Sequence, residues 1–176
     1  MSNGYILSLV VLGVVLVLTT YTELQSSRIP NWITTPALAF AFVASFIGIG
    51  IPLSSSVLGF LAGFGFLFVF YMFGGMGGGD VKLMGVVGAL LGFPQIVTVL
   101  MYTAFIGGAM AVIALIWHKR FWSVAGRTAT MFWKTEAGKT LDDGAVEDKP
   151  VTLPYGLAIV LGCIMHIAIG AKGLQP

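Results

Sequence analysis

Charge is what this chain has least of. Only 9% of its 176 residues are Asp, Glu, Lys or Arg, against 57% that are hydrophobic. A soluble domain carries about 25% charged residues, so the scarcity excludes a water-soluble globule and leaves lipid as the solvent. Cysteine is nearly absent too. The single Cys163 excludes an intrachain disulfide and any zinc ribbon built from Cys pairs, and it is expected to serve as a small apolar residue in a helix. The two histidines, His118 and His166, lack ligand spacing, so no metal or cofactor site is expected; His166 is expected to pack or snorkel. No Lys or Arg precedes the first apolar run, which begins near Gly4, and Thr19–Thr20–Tyr21–Thr22 makes a poor cleavage site. That run is therefore expected to be a membrane span, not a cleaved signal peptide.

What is present is a series of apolar runs. A span needs about 20 apolar residues, and the runs predict six, at about 5–21, 32–49, 57–73, 82–91, 95–117 and 153–169. The predicted fold is an all-α, polytopic membrane helix bundle, a single domain over 1–176 with a polar loop at about 118–150. Charge placement supports the count. Eight of the nine basic residues fall in the first, third and fifth connections: Arg28, Lys82, Lys119, Arg120, Arg127, Lys134, Lys139 and Lys149. The positive-inside rule puts those connections in the cytoplasm and both termini outside. Membrane orientation accounts for the basic residues, and no nucleic-acid partner is expected. Trp117–His118–Lys119–Arg120–Phe121–Trp122 is expected to anchor at the headgroups. Pairs such as Gly59/Gly63 and Gly85/Gly88 are expected to let helices approach closely.

Five of the seven acids lie in the polar loop, leaving Glu23 and Asp80. Each is predicted where a span meets the cytoplasmic side, 57 positions apart in sequence. Carboxylates at membrane depth are functional candidates by default; the plain alternative is that both are interfacial and solvated. Gly77–Gly78–Gly79 ahead of Asp80 predicts a glycine-rich active-site loop, since irregular backbone at that depth survives only where protein or a water cavity satisfies it. A phosphate-cradling loop would need a Gly-Lys-Ser/Thr ending that is missing. Two acids brought together share a proton. One can then take a proton from water while the other polarises a peptide carbonyl.

Three segments, in order along nearly the whole chain, resemble the prepilin peptidases in their short form associated with Flp/Tad pili. They are Arg28–Ile29–Pro30–Asn31 after an acid, Gly77-x-Gly79-Asp80-Val81-Lys82-Leu83, and Leu153–Pro154–Tyr155–Gly156. The resemblance implies an aspartic peptidase at the cytoplasmic face of the bacterial inner membrane, cleaving leaders from type IV prepilins without a bound cofactor. By position it implies Asp80 as one catalytic acid and residue 23 as the other, with Arg28, Pro30, Asn31, Lys82, Pro154, Tyr155 and Gly156 in support. The family has Asp where this chain has Glu23. That departure allows a variant with a compensating backbone, an impaired homologue, or an introduced substitution. Larger family members carry a Cys-rich region and N-methylate the new terminus; this chain lacks those cysteines, so methylation is not expected. Two other functions fit the same acids: a prepilin-binding homologue that does not cleave, and a small proton-coupled carrier.

Overall fold

The computed structural model describes residues 3–26, 29–73, 76–117 and 155–172. Arg28, Pro154 and the loop at 118–150 lie outside them. Among the described residues six helices are found and no strand: α1 Asn3–Ser26, α2 Asn31–Phe46, α3 Leu53–Met72, α4 Gly78–Leu91, α5 Gln95–Trp117 and α6 Tyr155–Lys172. Each predicted run therefore yields a helix. Three are long and apolar enough to cross a membrane: Gly4–Ser26, Leu53–Met72 and Gln95–Ile113. Asn31–Phe46 and Tyr155–Ile169 are shorter apolar helices. Two units are distinguished, residues 1–107 with 154–176, and residues 108–153. The first holds the candidate site; of the second only 108–117, the end of α5, are described.

At the centre of the first unit is α4, 14 residues long and so about 21 Å from end to end. Every residue from Leu83 to Leu91 is buried, as expected of a helix that is apolar all round. Lipid tails are as apolar as leucine, so close backbone packing has to bind such a helix to its neighbours. Glycine provides it. A Cβ at Gly59 of α3 would overlap the Gly88 carbonyl of α4, and one at Gly88 would overlap the Gly59 carbonyl. A Cβ at Gly63 would stand 2.6 Å from the Met84 carbonyl oxygen. Across the same seam the buried Ser56 hydroxyl donates to the Ala89 carbonyl over 2.8 Å.

The seam fixes the direction of α4. Its last turn closes at Gly92 with φ +80°, and there Ser55 at the start of α3 donates Oγ to the Phe93 carbonyl at 2.9 Å. The Phe93 N–H donates back to the Ser55 carbonyl at 3.1 Å. The two helices are thus antiparallel, and the Tyr71 ring near the end of α3 lies 3.4 Å from where a Gly78 Cβ would stand. Gly79 comes as near to Ile29, ahead of α2. One end of the bundle so gathers the starts of α2, α4 and α6 and the ends of α1 and α3. Around that end Tyr21, Trp32, Tyr71 and Phe73 are exposed, the placement of aromatic residues at a membrane–water boundary.

Candidate active site

Glu23 arrives at this end on the buried face of α1. Ser8, Leu12, Val15, Leu16, Thr19 and Glu23 are its buried members, spaced three and four apart as one helix face requires. The helix continues to Ser26, so Glu23 lies within a regular turn and not in a polar stretch after the span, as the sequence had suggested. It is 7% exposed. A carboxylate there needs donors, and α6 supplies them. The N–H of Gly156, buried in the first turn of α6, donates to Glu23 Oε1 at 3.0 Å, and the Leu157 N–H faces the same carboxylate. The first amides of a helix have no partner within it, and the helix dipole favours an anion beside them. A Cβ on residue 156 would overlap Glu23 Oε2 and stand 2.9 Å from Oε1. A side chain at position 156 would push the Glu23 carboxylate from this place.

Asp80 is half-buried and is held by its own helix. Gly77 is the N-cap of α4, in extended conformation with φ −76° and ψ 142°. The Asp80 N–H donates to the Gly77 carbonyl at 3.1 Å, while the Gly77 N–H faces the Asp80 carboxylate. The acid at the third helical position thus supplies one half of a capping box, and Gly77, which has no side chain, supplies only its backbone carbonyl for the other bond. This geometry corrects the expected glycine loop: Gly78 and Gly79 are helical residues of α4, and only Gly77 lies outside it. The glycines act by leaving space. Gly79 lets Ile29 come within 3.1 Å of its missing Cβ, and Gly77 lets Asp80 Oδ2 come within 3.0 Å of its own.

The two acids are brought together: the Asp80 charge acts on Glu23 through space. The supporting residues divide between two roles. Pro30 caps α2 in extended conformation, and Asn31, its first residue, accepts a hydrogen bond from Lys82 Nζ at 2.9 Å. Lys82 is exposed and ties α4 to α2; the partner found for its amine is an amide, not a carboxylate. Tyr155 packs its ring 3.0 Å from where a Gly107 Cβ would stand on α5, setting the start of α6. Cys163 is fully buried in α6, and His166 is half-buried on the same helix.

One residue escaped sequence reading. Thr19 is completely buried one turn before Glu23, and its hydroxyl has no partner among the described residues. Its only sequence signal was the four-residue spacing to an acid.

The Prepilin leader peptidase/N-methyltransferase of Bacillus subtilis (strain 168) is 37% identical over 106 residues, covering 56% of this chain and 42% of the relative. That of Aeromonas salmonicida (strain A449) is 31% identical over 105 residues, 56% of this chain and 36% of the relative. That of Neisseria gonorrhoeae is 25% identical over 130 residues, 70% of this chain and 46% of the relative. The chain thus spans less than half the length of the curated relatives it matches. No solved structure gives a significant match. Residues 10–112 match the Type IV leader peptidase family, a stretch that contains both Glu23 and Asp80. With more than half of its length inside that match, the chain belongs to the Type IV leader peptidase family.

Proposed function

We propose that this chain is a membrane aspartic endopeptidase that removes the leader from Flp-type prepilins at the cytoplasmic face of the bacterial inner membrane. The observation that carries the proposal is the pairing of Glu23 and Asp80, the two acids outside the polar loop, at one end of a membrane bundle. In this proposal residues 1–176 act as one peptidase domain with both termini outside and the 118–150 loop in the cytoplasm. The substrate is a membrane protein whose apolar helix lies in the bilayer beside the enzyme.

The mechanism follows from how the carboxylates are held. Glu23 keeps Oε1 on the Gly156 N–H and leaves Oε2 without a partner among the described residues, so Oε2 takes a proton from water. Asp80 holds the shared proton and donates it to the scissile carbonyl oxygen as the water adds. The tetrahedral intermediate collapses with breakage of the C–N bond. The amine leaves with the proton that Glu23 took, and Asp80 recovers its own. No covalent intermediate forms.

Glu23 in place of the family's Asp favours one other reading, a homologue that binds prepilins without cleaving. Against it stands the fit at Gly156, where the longer side chain meets a backbone donor and a position without a Cβ. A proton-coupled carrier would keep its acids near the midplane between broken helices, whereas these lie at one end of the bundle. The test is co-expression with a Flp-type prepilin, following leader removal by gel mobility. Native chain should process the precursor and Asp80→Asn should leave it uncut. Cleavage by Asp80→Asn at the native rate would show the mechanism to be wrong.

A further inference from the structure

Four hydroxyls of α1 satisfy themselves in the usual way, on the carbonyl one turn back. Ser8 donates to Gly4 at 3.1 Å, Thr20 to Leu16 at 2.8 Å, Thr22 to Leu18 at 3.1 Å and Ser26 to Thr22 at 2.9 Å. Thr19 does not, although it is 0% exposed, and a buried hydroxyl without a partner costs about 1–3 kcal/mol. One turn on, along the same buried face, Glu23 Oε2 is the other polar atom of the helix that is buried without a partner among the described residues. Ser45, Gln95 and Thr103 also carry such atoms, but none shares a helix face with a site carboxylate.

From this pairing we infer that Thr19 is a positioning residue, whose hydroxyl and Glu23 Oε2 together hold the water that attacks the scissile carbonyl. The inference rests on the peptidase function proposed above. Residues four apart are separated by about 6 Å along a helix axis. Helical side chains lean toward the N-terminus, so the longer Glu23 side chain reaches back over the turn of Thr19, and two hydrogen bonds of about 2.8 Å meeting at one water close a gap of about 4.5 Å. Thr19 acts through the water: it accepts or donates one hydrogen bond and leaves the second water proton directed at Oε2. Buried polar groups are completed by ordered water where two or more partners converge, and each unsatisfied group in a native structure calls for such an explanation.

Thr19→Val removes the hydroxyl and keeps the branched shape. With purified chain and prepilin in detergent, kcat for leader removal should fall on the order of tenfold to a hundredfold, as for a misplaced nucleophile, with KM unchanged. Thr19→Ser, which restores the hydroxyl, should recover most of the rate. Thermal stability of Thr19→Val should stay close to the native value, because valine keeps the branched shape on the buried face. Full kcat in Thr19→Val would overturn the inference. So would a loss of stability in Thr19→Val together with no recovery in Thr19→Ser, the pattern of a packing residue. A readout without substrate separates this inference from the proposed function. The infrared bands of the Glu23 carboxyl, identified by their loss in Glu23→Gln, should shift in Thr19→Val. No shift overturns the link between Thr19 and Glu23 even in a chain that cleaves; a shift in a native chain that cleaves no prepilin supports the link and overturns the peptidase function.

Discussion

Glu23 and Gly156, 133 positions apart, meet at 3.0 Å through a backbone N–H and a carboxylate oxygen, and the absent side chain of Gly156 is what lets them meet. The Glu23 side chain carries its carboxylate to the first turn of α6, where unpaired amides and the helix dipole hold it.

Gly156→Ala should consequently be far more damaging than a single methyl suggests. The new Cβ displaces the Glu23 carboxylate, and a shift of about 1 Å at a reacting group costs on the order of a hundredfold. Glu23→Asp should also slow cleavage, since the shortened side chain withdraws from the Gly156 N–H. The combination Glu23→Asp with Gly156→Ala should lose less than the sum of the two, because the methyl then fills space the methylene has left. Leader-removal kinetics of the four chains form a double-mutant cycle. A Glu23→Asp chain faster than native would instead identify the native protein as an impaired homologue.

The proposed sharing of one proton makes activity depend on pH in a defined way. One carboxyl must be ionised to accept from water and one protonated to donate, so kcat should fall on both the acid and the alkaline side. Asp80→Asn and Glu23→Gln each remove one member; each should lower kcat by about a hundredfold or more, the range of general acid–base contributions. Any residual rate should keep only one of the two limbs. A native pH profile with a single limb would contradict proton sharing between Glu23 and Asp80.

Much of this was legible in the sequence because the solvent is lipid. Runs of apolar residues at about 5–21, 32–49, 57–73, 82–91, 95–117 and 153–169 predicted six helices, and six are found among the described residues. Elimination of the loop acids left Glu23 and Asp80, and the structure brings those two together. Boundaries were less legible. The glycines at 78 and 79 looked like a loop, but an acid at the third helical position with a free N-cap amide continues α4 back through both. The contact between Glu23 and Gly156 was invisible to pattern reading, because it depends on where α6 begins relative to α1. Thr19 was invisible for a related reason: the other four serine and threonine hydroxyls of α1 bond to their own helix, and only packing reveals the one that does not.

The seam between α3 and α4 sets the position of Asp80, and it yields the last prediction. At Gly59 and Gly88 the obstacle to a side chain is backbone, not the movable end of another side chain. A methyl at either position has nowhere to rotate, and the two helices must part. Gly59→Ala and Gly88→Ala should each destabilise the bundle by about 1–3 kcal/mol, the usual cost of overpacking a close contact. Both should lower activity as well, since α4 carries Asp80 at its other end. Ser56→Ala serves as the reference. It removes only the hydrogen bond to the Ala89 carbonyl, worth about 0.6–2 kcal/mol between membrane helices, and leaves the backbone spacing intact. Thermal unfolding in detergent and leader-removal rates should then separate: Ser56→Ala loses some stability and keeps its rate, while the glycine variants lose both. Equal rates for Gly88→Ala and native chain would show that the depth and tilt of α4 do not govern the catalytic acid.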